Sequence, residues 1–441
     1  MTVPPSLLAL LQVLRPCFTA PTFRTFSALV TGLIGANRRR TVVGMLLGAG
    51  MTHLWPHDRA HYFFARARWS ADQLGLALAR LIAQRLLPQD AALHVAVDDT
   101  LFKRRGKKVY GAAWQHDGSA TGAKKTGFGN NWVVLGLLVP LPFLDRPVCL
   151  PVLARLWRPG SEASKVELAR QLVGLLLSAF LARELCLVGD AAYHGKALRD
   201  LPERCSWTCR MQRNGVFYAP APPPTGRRGH PRWKGERLGT PGEIAAATAF
   251  TRATVQRYGR TETVRLAVVA GLWWGAFHRR ACRLILIRDE GSDKVYDLVL
   301  VTTDLSADPA AVVSRYAWRW QIELLFLQVK QILGVGQARN RVQRAVERTV
   351  PFGLAVYTLT VIWYALHGRH EADLARRRTR EPWLTGKATV SFEDMHQALR
   401  HEVLEHRITH VIAAHNPTQQ IRVFDLERCA LPDTLPLRHS R

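Results

Sequence analysis

A few acids, cations and one phenol carry the chemistry available to this chain. Tyr316, Arg319, Glu323 and Lys330 are offset by 0, 3, 7 and 14 residues. At about 100° per residue on a helix, these positions fall within roughly 60° of one another. Ile322, Leu325, Val329 and Ile332 occupy the other face and can pack inward. One ridge thus presents a phenol, a guanidinium, a carboxylate and an ammonium. The carboxylate suits a hard cation, and the phenol and cations suit phosphate oxygens. Two more acids follow apolar strands: Asp98 in VAVDDT and Asp190 in LCLVGDAAYHG. Three carboxylates suffice for magnesium, which keeps several waters and needs no His or Cys. Two such ions about 4 Å apart activate a nucleophile, stabilise a pentacoordinate phosphorus and stabilise the leaving oxygen. The chemistry implied is phosphodiester cleavage.

The charge balance agrees. The 441 residues hold 61 Lys and Arg against 34 Asp and Glu, a formal net charge of +27. That excess repels itself in a compact chain and calls for a polyanionic partner. A hydrophobic fraction of 48% allows large cores and argues against global disorder. The seven cysteines are odd in number and form no C-x-x-C pair. They point to a reducing cytoplasm, without a disulfide framework or a zinc site. His401, His406, His410 and His415 include one i, i+4 pair but offer no third ligand pattern, so they read as a basic surface helix. The N-terminal residues lack a basic region before their apolar run and are broken by Pro16 and Pro21, so they read as helices rather than a signal peptide. No run of eighteen or more apolar residues suggests a membrane span.

The elements that must position the acids follow from periodicity. Residues 1–88 read as helical, with Ser70 as a helix cap and Gln73 completing a capping box. Leu93, Val95 and Val97 alternate in a strand that ends at Asp98-Asp99-Thr100. A basic loop follows, with Lys103, Arg104, Arg105, Lys107 and Lys108, and then Lys124 and Lys125. These cations are candidates for a DNA channel. Gly129-Asn130-Asn131 reads as a turn before a second strand, and Cys149–Trp157 as a third. An amphipathic helix over Ser161–Ala182 precedes a strand that ends at Gly189-Asp190. Strands, helix, strand is an α/β order whose first strands are antiparallel. Residues 219–239 are Pro-rich, then basic and Gly-punctuated. Strands are expected at Thr263–Val269, Cys282–Ile287 and Asp297–Val301. Pro309 opens a long helix to about Leu333, and the chain is helical again from Val350.

The pattern Y-x2-R-x3-E-x6-K, intact in YAWRWQIELLFLQVK, resembles the signature of DDE transposases of the insertion-sequence-four group. The D-x-T setting of the family's first catalytic acid matches Asp98 and Thr100, with Asp99 as the rival one register away. The second acid matches Asp190, followed by an aromatic at Tyr193. The resemblance implies an RNase H-like catalytic core with a β-rich insertion, flanked by helical terminal regions. The boundaries expected are 1–88, 89–211 and 304–345 for the helical N-terminal region and the two parts of the core. The insertion spans 212–303 and the C-terminal helical region 346–441. It implies catalysis and metal binding by Asp98, Asp190 and Glu323, with two Mg²⁺ ions and Mn²⁺ as their substitute. Tyr316, Arg319 and Lys330 would contact the transferred DNA end. Trp273 and Trp274 are candidates to stack a flipped base, with core packing as the alternative. The partners implied are double-stranded DNA, as terminal inverted repeats and target, and a second copy in a homodimeric synaptic complex. The place implied is the bacterial cytoplasm, at the nucleoid, with no membrane. A related metal-dependent nuclease and a DNA-binding regulator derived from a transposase are the competing readings.

Overall fold

The computed structural model describes residues 3–118, 120, 125–223 and 232–414. Lys124, His415, Cys429 and residues 224–231 of the basic stretch lie outside them. The chain divides into two compact units, Met1–Ala77 with Gln328–Arg441, and Leu78–Leu327.

Five helices open the chain: α1 (Pro5–Val13), α2 (Ala20–Gly35), α3 (Val42–Gly48), α4 (His57–Ala65) and α5 (Ala71–Leu86). Ser70 Oγ accepts from the Gln73 amide at 3.4 Å at the start of α5, as its cap position predicts. The second unit begins within α5 and contains all the strands among the described residues. They are β1 (Leu93–Lys103), β2 (Ala113–His116), β3 (Thr126–Val139), β4 (Val148–Trp157), β5 (Leu185–Gly189) and β6 (Cys205–Arg210). There follow β7 (Phe217–Tyr218), β8 (Arg237–Gly239), β9 (Thr251–Arg257), β10 (Arg260–Gly271), β11 (Cys282–Asp289) and β12 (Leu298–Thr302). Helix α6 (Lys165–Ala179) crosses between β4 and β5, and the short α7 (Pro241–Ala247) and α8 (Trp274–Phe277) punctuate the later strands. Ser164 and Glu167 close a reciprocal capping box that starts α6 three residues after the expected Ser161.

Ten strands form one sheet in the order β2-β3-β1-β5-β6-β12-β11-β10-β9, with β4 beside β3. β1 is antiparallel to β3 and parallel to β5, and β5 is parallel to β6. This mixed sheet with flanking helices is an RNase H-like α/β core, as expected. The strands of the expected insertion do not stand apart from it: β12 pairs with β6 and carries β11, β10 and β9 into the same sheet.

Two local expectations are corrected. Gly129-Asn130-Asn131 is not a turn but the interior of β3, facing β1. The asparagines are buried there, and Asn130 is satisfied by the Arg104 guanidinium at 2.8 Å and the Tyr110 carbonyl at 3.0 Å. Gly129 is small because a Cβ would run into the backbone carbonyl of Phe102 on β1. The expected single helix from Pro309 is two, α9 (Pro309–Ala317) and α10 (Trp320–Gln331). Asp308 caps α9 through the Ala311 amide at 2.9 Å. At the junction the amides of Arg319, Gln321 and Ile322 each bond the carbonyl three residues back, which tightens the turn. The Tyr-Arg-Glu-Lys ridge therefore bends at Arg319 instead of running straight.

In the first unit, the C-terminal helices α11 (Gln343–His367), α12 (His370–Arg380) and α13 (Phe392–Ala414) join the N-terminal ones, with α11 against α4 and α1 and α13 against α2. By length and composition α11 is apolar enough to cross a membrane, but 83% of its most apolar window is buried inside the protein. Its Phe352 ring meets Phe26 of α2 and Phe63 and Phe64 of α4 edge-on, at 5.3 to 6.0 Å between centroids.

Candidate active site

The parallel pairing of β1 and β5 sets the first two acids side by side. Val97 is in register with Gly189, so Asp98 and Asp190 are the next residues on adjacent strands. β1 does not end at its acids, as the alternation suggested, but runs on to Lys103 against β3. β5 does end, at Gly189, so the two acids stand where the parallel ladder stops. A Cβ on Gly189 would lie 2.9 Å from Tyr193, which keeps that corner tight. Beyond it Asp190 accepts from the Ala192 amide at 2.7 Å in an Asx-type turn.

The third acid arrives through an arginine. The Arg319 guanidinium donates from Nη1 to Asp98 at 3.2 Å and from Nη2 to Glu323 at 2.7 Å. It thereby bridges β1 to the first turn of α10. The Asp98 and Arg319 side chains are both only 16% exposed. Burial pushes the Asp98 carboxyl up to about 7, and the neighbouring Asp190 charge adds to the rise, against the opposing pull of Arg319. Burial lowers the Arg319 pKa, but Tyr316, Asp98 and Glu323 more than reverse it, so the net shift is upward. Tyr316 is buried beside it on α9, and burial raises its phenol well above the ordinary range.

The sequence left Asp98 and Asp99 as rivals, and the two have different surroundings. Asp99 accepts from Lys165 Nζ at 2.6 Å and from the Tyr193 hydroxyl at 3.2 Å. Tyr193 is in turn held by Trp207, whose indole donates to the Tyr193 carbonyl at 2.9 Å. Asp99 is thus a paired structural acid, and Asp98 is the one beside Asp190 and bonded to Arg319.

The remaining candidates disperse. Lys330 lies in the last turn of α10 and is half-buried. Lys103 pairs with the buried Asp117 at 3.1 Å. Arg104 is buried against Asn130 instead of facing solvent, and that burial lowers its pKa to about 10. Its place is inside the fold, where it ties the loop after β1 to β3. Arg105, Lys107, Lys108 and Lys125 are exposed. Trp273 is buried and stacks on His194 at 4.8 Å, so core packing is its observed role. Trp274 is half-buried, with His278 at 4.0 Å. Sequence reasoning missed Lys165 and the His194–Trp273 stack; a Lys one residue into a capped helix gave no sign of its partner 66 residues earlier.

Among the described residues, no group of three or more His, Cys, Asp or Glu side chains stands as a ready metal-binding cluster. The donor set nonetheless fits a hard divalent cation in kind. Asp98, Asp190 and Glu323 offer only carboxylate oxygens, and the raised Asp98 carboxyl beside Asp190 is a repulsion that a cation relieves. Arg319 supplies positive charge between Asp98 and Glu323.

A comparison with curated proteins finds no match. A family described as DDE superfamily endonuclease matches residues 13–267, which include Asp98 and Asp190 and end before Glu323. That family acts on DNA, and its nucleases use divalent metal ions. With more than half of its length matched, and two adjacent acids closing an RNase H-like ladder, this chain belongs to the DDE superfamily endonucleases.

Proposed function

We propose that the chain is a DDE transposase of the insertion-sequence-four type, which cuts DNA at the ends of a mobile element and joins them to a target. What supports this most is the Arg319 bridge, in which one guanidinium bonds Asp98 and Glu323 while Asp190 is next in register to Asp98. The Tyr-Arg-Glu-Lys spacing is the second support. Asp98, Asp190 and Glu323 would hold two magnesium ions, with manganese as substitute, and these supply an activated water and a stabilised leaving oxygen. Arg319 orients the two carboxylates it bonds and limits their side-chain freedom. A DNA phosphate brought to the site competes for the same guanidinium, because charged phosphate oxygens are bidentate partners of arginine. Tyr316, packed beside Arg319, fixes its position. Arg105, Lys107, Lys108 and Lys125 add exposed positive charge on the loops after β1. Joining two ends calls for a dimer on inverted repeats.

The test is a plasmid carrying the element's ends, incubated with wild type and Glu323→Gln, in magnesium or chelator, with cuts mapped to the nucleotide. Metal-dependent cuts at the element boundary by wild type alone, followed by joined products, are expected. The family description as endonucleases favours a second reading, a nuclease without strand transfer. Cuts scattered along the plasmid and lost in Glu323→Gln would move the function there. Cleavage that survives in the variant would remove Glu323 from the site.

A further inference from the structure

The turn between β3 and β4 and the turn between β9 and β10 lie more than a hundred residues apart, yet they line one cavity in the second unit. Its volume is about 130 Å³, room for about four waters at ~30 Å³ each, or for one tetrahedral oxyanion. Arg146 comes from the first turn and Arg260 from the second, and Gln321 of α10 adds an amide. Among the described residues neither guanidinium makes an ion pair or a side-chain hydrogen bond. Asp145 is the single acid in the lining, so the balance of charge is positive.

The second turn is built around these groups. Tyr258 and Gly259 both have positive φ, 53° and 79°. Glycine is at home there, and a tyrosine is strained. A Cβ on Gly259 would lie 2.5 Å from Arg146 Nε, so the glycine is what lets that arginine lie flat on the turn. Tyr258 is 54% exposed at the mouth of the cavity. Arg257 and Arg260 pair across the hairpin, so Tyr258 and Gly259 are its two loop residues and their positive φ values are those a tight hairpin turn requires. What points to a ligand is the cavity itself, with two unpaired arginines in its lining.

The cavity is on the same sheet as the acids. Its wall includes Trp318, whose ring meets that of His94 at 5.3 Å. His94 lies four residues before Asp98 on β1, roughly 13 Å at ~3.3 Å per residue.

We propose that this cavity binds a backbone phosphate of the DNA, held between Arg146 and Arg260. The proposal rests on the DNA-processing reading. Two guanidiniums around a phosphate give charge-assisted, directional hydrogen bonds and no base readout, so the site positions DNA and does not select sequence.

The experiment uses the full chain in chelator, a labelled duplex, and binding measured from 0.05 to 0.3 M salt. Arg146→Ala/Arg260→Ala is compared with wild type and with Arg213→Ala/Arg252→Ala, which removes two exposed arginines elsewhere in the unit. The cavity variant is expected to flatten the slope of log affinity against log salt by about one to two, and to weaken binding roughly tenfold at 0.1 M. The control is expected to shift both much less. Equal slopes in the cavity variant and the control overturn the proposal. A wild type that does not bind DNA at all would instead sink the DNA-processing reading. A second arm records melting in inorganic phosphate against chloride at matched ionic strength. Stabilisation by phosphate that is lost in the cavity variant, with unchanged DNA slopes, would reassign the cavity to a free anion and overturn the DNA proposal. Unaltered melting of both variants in chloride excludes misfolding as the cause.

Discussion

Arg377 in the first unit and Arg319 in the second each bond more than one carboxylate, and these two clusters behave oppositely. In the first unit Arg377 bonds Glu381 at 2.9 Å and Glu393 at 3.0 Å and lies 3.8 Å from Asp394. Asp394 also accepts from Lys387, and from the Ser391 amide and hydroxyl at 2.7 Å each. Burial alone would raise its pKa, but Lys387 and Ser391 carry it below the ordinary range. In the second unit Asp98 has one arginine, its own neighbouring amide and an acid beside it, and its pKa rises to about 7. Similar residues thus hold an acid below its ordinary pKa in one place and leave one raised in the other. An acid held charged by cations and amides serves the fold; one kept under repulsion by a neighbouring acid is a candidate to bind a ligand.

The widest gap between the clusters should appear in cleavage. Asp98→Asn and Glu323→Gln are expected to lower metal-dependent DNA cleavage by about 10³-fold or more, since each removes charge stabilisation worth several kcal/mol. Asp394→Asn should leave the cleavage rate of folded protein within about threefold, and a loss as large as that of Asp98→Asn would erase the distinction. Stability is expected to reverse the order. Asp394→Ala strands Lys387 and Arg377 and should cost about 3–5 kcal/mol in denaturant unfolding. Asp98→Asn in chelator at pH 8 should instead stabilise, by about 1–3 kcal/mol.

The sign of that gain depends on pH. A carboxyl raised in the folded state holds its proton more tightly there, so its penalty is absent below the unfolded value near ~4, grows as pH rises, and is complete above about 7. The advantage of Asp98→Asn should therefore vanish by about pH 4. The lowered Asp394 works the other way, stabilising above the unfolded value and losing its contribution as pH falls through the folded one. Unfolding curves of both variants carried from about pH 8 to below about pH 4 should show the Asp98 difference changing between about pH 4 and about 7 and the Asp394 difference changing only below about pH 4. Changes in the same window would contradict the contrast. The smallest effect separates neighbours on one loop. Arg104→Ala should cost about 1–3 kcal/mol of stability by orphaning Asn130, with DNA binding nearly unchanged. Lys107→Ala should leave stability within about 0.5 kcal/mol and flatten the salt dependence of DNA binding by about one.

What the sequence disclosed followed range. The core strands were legible because alternation is a local pattern, and Asp98, Asp190 and Glu323 were candidates on local grounds too, two of them after apolar strand residues and one on a helical ridge. The D-x-T spacing favoured Asp98 over Asp99, but what separates the two in the fold, Lys165 and Tyr193 on Asp99, is tertiary. Gly129-Asn130-Asn131 misled because buried asparagines in a strand need a partner such as Arg104, and nothing local announces one. The break at Arg319 was hidden because Trp318 and Arg319 are acceptable helix residues; the bend coincides with their contacts to His94 and Asp98. β9 was missed because four of its seven side chains are exposed and polar. The union of both helical ends of the chain in one unit could not be read from either end alone.

The pairing of β6 with β12 bears on how the molecule comes into being. Nearly ninety residues separate Arg210 from Leu298, so that ladder closes late and at a high cost in chain entropy. α10, with Glu323, is made later still. A ribosome that has released Asp98 and Asp190 has therefore not yet released their third acid. The growing chain thus carries its carboxylates apart until α10 has emerged.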